Sequence, residues 1–92
     1  TALKLILHMK DHEIKQKAKL LRPTIQIGKN GVTESLIEEI KKQIKKSRLV
    51  KIKLLKGFVE ANDRKKVSKE IADETDSVLI DQVGNVIVLR KK

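Results

Sequence analysis

The sequence predicts a small α/β domain of the α+β kind, in which helices and a four-stranded mixed sheet form two layers. The 92 residues are enough for one domain with a modest core, and the absence of cysteine excludes disulfides as a substitute for that core. Apolar residues recur at helical spacing in some segments and alternate in others. These segments follow one another in the order α-β-α-β-α-β-β, which is typical of a two-layer fold.

The first predicted helix lies near the start of the chain and has one apolar face. Asp11 is a candidate N-cap, because its side chain can accept a hydrogen bond from a first-turn amide. Ile14, Ala18 and Leu21 recur at helical spacing, so the helix is expected to run to about Leu21. Pro23 cannot continue a helix and ends this one.

A short strand and a longer helix are predicted after the proline. The strand runs from Thr24 to Ile27, because the residue before a proline is biased toward extended geometry. Thr33 is the predicted N-cap of the helix. The expected buried face of this helix consists of Leu36, Ile37, Ile40 and Ile44. Its outer face carries Lys41, Lys42 and Lys45.

The second half of the chain predicts one more strand, a helix and a hairpin. In the strand from Leu49 to Leu55, apolar side chains alternate with Lys51 and Lys53, so one face is expected in the core and the other in water. A weakly amphipathic helix from about Arg64 to Thr75 follows. Two apolar runs then flank Gly84-Asn85, which suits a two-residue hairpin turn with glycine first. These runs are Val78 to Val83 and Val86 to Leu89.

The tetrad Gly28-Lys29-Asn30-Gly31 stands between the first predicted strand and the second predicted helix. Glycine has no Cβ atom, and the first amides of a helix have no partner within it, so such a turn can bring backbone N–H groups close to a phosphate. Asn30-Gly31 is also a common hairpin dipeptide, but the residues that follow have helical spacing. The tetrad therefore predicts a strand-to-helix turn that binds nucleic-acid backbone, and a turn without a binding role is the alternative.

Charge is abundant and segregated. The chain has 22 Lys and Arg against 12 Asp and Glu, for a formal net charge of +10. The segment from Lys41 to Lys56 contains basic residues and no acidic one, whereas Glu70 to Asp81 contains acidic residues and no basic one. One-sign runs of this length favour a polyanionic partner over a merely solvated surface, although a Lys-rich surface of the thermophile kind is the alternative.

The first eight residues are expected to lie outside the domain. A His8-Met9 junction follows an apolar stretch that is too short for a signal-peptide core, so Thr1 to His8 are expected to be a vector-derived or flexible leader. Residues 9–92 are expected to form a single domain. No apolar run approaches the ~20 residues that span a bilayer, so no membrane contact is expected.

Few residues are suited to catalysis. The two histidines, His8 and His12, have no carboxylate or thiol at ligand spacing. Asp73, Glu74 and Asp76 could in principle hold Mg²⁺, but such a run is more often a solvated helix end. We therefore expect no enzyme, no catalytic residue, no metal and no cofactor.

Three stretches in a fixed order carry a family resemblance. They are LRPTIQIGKNGVT from Leu21 to Thr33, LVKIK from Leu49 to Lys53 and GNVIVLR from Gly84 to Arg90. Together they closely resemble the YhbY-like CRM domain, where CRM stands for chloroplast RNA splicing and ribosome maturation. The resemblance covers nearly everything from Met9 to Lys92. It implies a stand-alone RNA-binding domain with a fold related to the C-terminal domain of bacterial translation initiation factor three.

The resemblance also implies a site and a partner. By it, Gly28, Lys29, Asn30 and Gly31 correspond to the RNA-binding loop of the family. From charge and position, we expect the RNA-binding surface to include also Arg22, Lys41, Lys42 and Lys45. The implied partner is ribosomal RNA in precursors of the large ribosomal subunit, and a cytoplasmic monomer is expected.

Three alternatives remain open from the sequence. A small basic chromatin protein that coats DNA would have similar charge, because charge does not distinguish RNA from DNA. A metal-dependent nuclease and a protein-interaction module are the others. Phe58 is the only aromatic residue, so the stacking platform with which many proteins bind single-stranded bases is missing. We expect Phe58 to pack a loop against the core.

Overall fold

The computed structural model describes residues 10–92, and the expected leader Thr1 to His8 lies outside the described residues. Within this range the helices are α1 (Asp11–Ala18), α2 (Glu34–Ser47), α3 (Lys56–Val59) and α4 (Arg64–Glu74). The strands are β1 (Ile25–Ile27), β2 (Leu49–Leu54), β3 (Ser77–Val83) and β4 (Val86–Lys91). The single-turn helix α3 was not predicted. The prediction that α1 runs to about Leu21 was wrong, because α1 ends at Ala18 and Leu21, expected on its buried face, is 44% exposed. The other elements lie close to their predicted bounds.

The four strands form one mixed sheet in the order β1-β2-β4-β3. β1 runs parallel to β2, while β4 is antiparallel to both β2 and β3. The predicted fold class is thereby confirmed. The β3–β4 hairpin is closed at Gly84-Asn85, where Gly84 has a φ of +57°. A positive φ at the first turn position favours glycine, as predicted.

The main core lies between one face of the sheet and the helices α2 and α4. Ile40 of α2 and Ile71 of α4 meet Ile52 and Ile87 of the central strands in a single cluster, and all four are almost completely buried. The alternation predicted for β2 is confirmed on this face, where Val50, Ile52 and Leu54 are buried. Each almost fully buried aliphatic side chain stabilises the fold by roughly 1.5–3 kcal/mol relative to an exposed position.

The reverse face of the sheet is covered in part by α1. Ile14 and Ala18 pack there against Leu49 and Val88 in a second, smaller cluster. The expectation that this face of β2 is wet was therefore wrong at Lys51. The Lys51 Nζ donates at 2.8 Å each to the carbonyl oxygens of Ala18, the last residue of α1, and of Leu21, just beyond it. The Ala18 oxygen also accepts the Leu21 amide at 3.1 Å.

The two predicted N-caps have different outcomes. Thr33 caps α2 as predicted, because its side chain accepts a hydrogen bond from the Leu36 amide at 3.1 Å. Asp11 does not cap α1, since Lys10 occupies the N-cap position and its side chain makes no capping bond. Asp11 lies in the first turn and accepts a hydrogen bond from the Arg90 Nε at 2.7 Å. Its carboxylate therefore ties α1 to the end of β4.

Candidate nucleic-acid interface

The glycine loop, Gly28–Gly31, connects the carboxyl end of β1 to the start of α2. The Gly31 amide donates to the Gly28 carbonyl oxygen at 2.9 Å, which closes a tight turn around the exposed residues Lys29 and Asn30. Gly31 has a φ of +71°, in the left-handed region that favours glycine. The tetrad is therefore a strand-to-helix turn, as predicted, and not a hairpin.

The inner side of the glycine loop rests on α3 and the residue before it. A Cβ atom at Gly28 would lie 3.3 Å from Leu55 Cδ1, and one at Gly31 would lie 3.7 Å from Phe58 Cε1. The Leu55 amide donates to the Ile27 carbonyl oxygen at 2.8 Å, which ties the ends of β1 and β2 together. Gly28 is thus favoured by its close approach to Leu55, whereas Gly31 is favoured by its positive φ and has room for a Cβ atom beside Phe58. The loop packs against Leu55 and α3 and leaves Lys29 and Asn30 exposed.

Phe58 forms the floor beneath the glycine loop. It is 5% exposed and belongs to the main core cluster, as expected from the sequence. Its ring is consequently unavailable for stacking on a base. Any recognition at this loop must use the backbone, Lys29 and Asn30.

Three connections meet where the strands end on one side of the sheet: Gly28–Gly31, Leu55–Val59 and the Gly84-Asn85 turn. We call this line of strand ends the loop edge. The Leu54 amide donates to the Asn85 carbonyl oxygen at 2.7 Å, so the end of β2 is joined to the hairpin turn. Arg64, the first residue of α4, donates from Nη1 to Asn85 Oδ1 at 2.9 Å. The start of α4 is therefore fixed at the loop edge as well.

Basic residues distant in sequence are brought to the loop edge by this topology. Lys29 and Lys56 are exposed beside the Gly28–Leu55 contact, and Arg64 is exposed at the hairpin. Lys56 and Arg64 were missed as site candidates from the sequence. The sequence did hold a signal for the position of Arg64. Asn62-Asp63 predicts the start of a helix, and Arg64 therefore lies in the first turn of that helix.

The predicted lysines of α2 are exposed but lie away from the glycine loop. Lys41, Lys42 and Lys45 occupy the second half of the helix, and its rise of about 1.5 Å per residue places Lys45 roughly 18 Å from the N-cap along the axis. Glu34 and Glu38 lie on the intervening turns, and the Lys41 Nζ is 3.7 Å from Glu38 Oε1. These lysines form a separate basic surface.

Arg22 also belongs to the end of the domain away from the loop edge. Thr24 donates from Oγ1 to Gln43 Oε1 at 2.6 Å, which holds the amino end of β1 against the second half of α2. Lys42 lines the same surface groove as Thr24, and Arg22 is exposed two residues earlier in the chain. The structure thus separates the predicted site into the glycine loop and a distal basic group of Arg22, Lys41, Lys42 and Lys45.

The acidic stretch from Glu70 to Asp81 forms ion pairs with bases from other elements. Asp76 Oδ1 lies 3.0 Å from the Lys92 Nζ, and Asp81 Oδ1 lies 3.5 Å from the Lys15 Nζ. Across residues 10–92, no three His, Cys, Asp or Glu side chains are grouped so that they could hold a metal ion. In that same range, no helix combines the length and the apolar character that crossing a membrane requires.

The fold and the site define a class: a small basic α+β domain with a glycine-rich strand-to-helix turn at the edge of a mixed sheet. A family model described as the CRS1 / YhbY (CRM) domain matches residues 8–91. This chain therefore belongs to the CRS1/YhbY (CRM) domain family, as the sequence resemblance predicted.

Individual proteins agree with this assignment. The chain is 32% identical over 79 residues to "Probable RNA-binding protein YqeI" of Bacillus subtilis, a match that covers 86% of this chain and 80% of that protein. It is also 32% identical over 76 residues to "Probable RNA-binding protein MJ0652" of Methanocaldococcus jannaschii, covering 83% of this chain. The match spans only 56% of the Methanocaldococcus protein.

A solved structure supports the architecture. The solution structure of the hypothetical protein SAV1595 from Staphylococcus aureus superposes with a TM-score of 0.73 at 25% sequence identity. The superposition covers 89% of this chain and 83% of the Staphylococcus protein. The arrangement of helices around the mixed sheet is therefore shared with an experimentally determined fold.

Proposed function

We propose that this protein binds structured RNA by holding its sugar-phosphate backbone at the glycine loop. The observation that carries the proposal is the geometry of that loop, in which a closed turn supported by Leu55 and Phe58 presents Lys29 and Asn30 outward. Membership of the CRM family and the names of the Bacillus and Methanocaldococcus relatives support RNA as the partner. The formal net charge of +10 supports a polyanionic ligand of either kind.

The mechanism follows from the groups that the loop edge offers. Lys29 supplies a mobile ammonium group, and Arg64 extends positive charge along the same edge. Lys56 lies there as well, but its Nζ is 3.9 Å from Glu60 Oε1, so its charge is partly balanced. Contacts of this kind bind phosphates and position the RNA without reading its sequence. Because the one aromatic ring is buried, affinity is expected to depend strongly on salt and weakly on base identity. No step of this mechanism requires catalysis or a cofactor.

Ribosomal RNA in precursors of the large subunit is the specific partner that we propose, in the cytoplasm and with the protein acting as a monomer. The family resemblance supports this partner. Ultraviolet crosslinking in cells, followed by sequencing of the bound RNA, tests it, and an unirradiated sample supplies the background. We expect enrichment of unprocessed large-subunit RNA over mature transcripts. Recovery of RNA in proportion to cellular abundance, or of DNA in preference to RNA, would contradict the proposed partner.

The distal basic group can be tested separately from the glycine loop, because the sequence predicted that it also belongs to the RNA-binding surface. Replacing Lys41, Lys42 and Lys45 together by Gln should leave the fold intact, since all of them are exposed. If they contact phosphates, the slope of log K against log salt should become shallower by roughly 0.7 per lost contact on single strands and about 0.9 on duplexes. Equal losses of affinity at every salt concentration, with the slope unchanged, would mean that these lysines do not contact RNA.

A further inference from the structure

A basic groove runs between α4 and β3 and opens at the loop edge. Its α4 side carries Arg64, Lys65 and Lys69, and its β3 side carries Leu79 and Gln82. The groove has a volume of about 610 Å³ and ends at Gly84 of the hairpin turn. None of these residues belongs to the glycine loop or to the distal basic group.

The positive charge of this groove is not balanced within the described part of the chain. Among residues 10–92, neither Arg64, Lys65 nor Lys69 forms an ion pair with a carboxylate. The only acidic residue that lines the groove is Asp63, whose Oδ1 accepts the Lys65 amide at 3.0 Å as the N-cap of α4. Three basic residues against this one carboxylate leave the groove with a net positive charge, which favours the binding of an anion.

Arg64 is fixed in a position from which it can take part in binding. Its Nη1 donates to Asn85 Oδ1 at 2.9 Å, which holds the guanidinium group against the hairpin turn. A guanidinium group has five N–H donors, and a single bond to Asn85 leaves most of them for another acceptor. The bond to Asn85 therefore orients the guanidinium group and leaves its other N–H donors available for a ligand.

The groove and the glycine loop lie on one edge of one rigid sheet. In the sheet order β1-β2-β4-β3, the glycine loop follows β1 at one side of the sheet and the groove lies beside β3 at the other side, three strand spacings away. With neighbouring strands about 4.8 Å apart, the two features are separated by roughly 14 Å along that edge. A single extended polyanion can therefore reach both.

We infer that this groove is a second RNA-backbone site, at which a strand held by the glycine loop continues along the sheet edge and places phosphates against Arg64, Lys65 and Lys69. The inference rests on the proposed RNA-binding function. Leu79, 37% exposed, offers an apolar surface for the sugar or base between these phosphates. Two phosphate sites on one rigid scaffold raise affinity together, because binding at the first holds the strand near the second.

An acidic peptide that adds a strand to β3 fits this groove less well. The pairing of β3 with β4 shifts register between Leu79 and Asp81, which is a β-bulge in the middle of the exposed edge strand. Bulges bend an edge strand and discourage the pairing of a further strand. A phosphate backbone needs no such ladder, since its contacts are made to side chains.

The variant Lys65→Gln/Lys69→Gln tests this second site while leaving the Arg64–Asn85 bond in place. The matched control is Lys10→Gln/Lys19→Gln, which removes the same charge from exposed positions that flank α1 on the reverse face. Affinity for a structured RNA is measured against salt concentration for both. We expect the slope of log K against log salt to become shallower by roughly 1.4–1.8 in the groove variant, for two lost contacts, and to change less in the control.

The outcomes separate the groove from the proposed function. If the groove variant and its control have the same slope while a Lys29→Glu/Asn30→Asp loop variant loses affinity, the second site is wrong and the loop mechanism stands. If the loop variant binds as tightly as the parent, the proposed function itself fails. Loss of polyglutamate binding without any change in RNA binding would assign the groove to an acidic protein partner and overturn the inference. Should the double variant unfold, Lys69→Gln against Lys19→Gln gives the same comparison with an expected change of roughly 0.7–0.9.

Discussion

Replacing Ile52 by Ala is expected to lower the free energy of unfolding by about 2–5 kcal/mol, because it removes buried methyl groups and leaves a cavity at the centre of the sheet. Ile52 is 0% exposed and belongs to β2, where its neighbours in register are Ile25 of β1 and Ile87 of β4. The Ile25 contact matters for function as well, since β1 leads directly into the glycine loop. A loss of this size is a large part of the total stability of a small domain.

Chemical denaturation with a matched pair of variants measures this effect. Leu20→Ala removes a similar aliphatic side chain from a position that is 86% exposed, so its unfolding free energy should stay within about 0.5 kcal/mol of the parent. Ile52→Val should fall between the two, at a cost of about 0.5–1.5 kcal/mol. An Ile52→Ala protein as stable as the Leu20→Ala protein would show that the described core is wrong.

Most of the fold could be predicted from the sequence because its elements have clear periodicities. The alternation in β2 and the helical spacing in α2 each identify a buried face, and Gly84-Asn85 identifies the hairpin. Helix α3 could not be predicted, since its residues Lys56–Val59 form a single turn, which is too short to show a period. Short turns of this kind are decided by tertiary contacts, here the packing of Phe58 beneath the glycine loop.

The role of Lys51 shows why a polar residue in a strand can mislead. Alternation predicts that its face of β2 is not part of the main core, which is correct. It does not distinguish a face in water from one covered by a helix whose last carbonyl groups a lysine can satisfy. The hydrogen bonds from Lys51 to Ala18 at the end of α1 and to Leu21 just beyond it depend on where that helix packs, and this is a property of the tertiary structure.

The part of the candidate site that consists of neighbouring residues in the sequence could be predicted. The part that the fold brings together from distant residues could not. The glycine loop is a run of four neighbouring residues, and its turn geometry follows from glycine and from the flanking elements. The groove of Arg64, Lys65 and Lys69 depends on the sheet order, because only that order places α4 beside the hairpin at the loop edge. The predicted lysines of α2 are near the loop in sequence, but the length of the helix carries them away from it.

The most direct test of the loop mechanism is the RNA affinity of Lys29→Glu/Asn30→Asp relative to a charge-matched control. Gln16→Glu/Lys19→Glu changes the formal net charge by the same amount at exposed positions on or beside α1. Both variants should fold normally, because the changed side chains are exposed and neither Lys29 nor Asn30 has a positive φ. Their thermal unfolding midpoints serve as the check.

Losing one charge-assisted contact, worth about 1.5–3 kcal/mol, should weaken binding by roughly ten- to a hundredfold in the loop variant beyond any loss in the control. Affinity for a structured RNA is measured for both proteins at several salt concentrations, and the difference should be greatest at low salt. This result would place phosphate contacts at the Gly28–Gly31 turn. Equal affinities of the two variants at every salt concentration, with both proteins folded, would contradict the account.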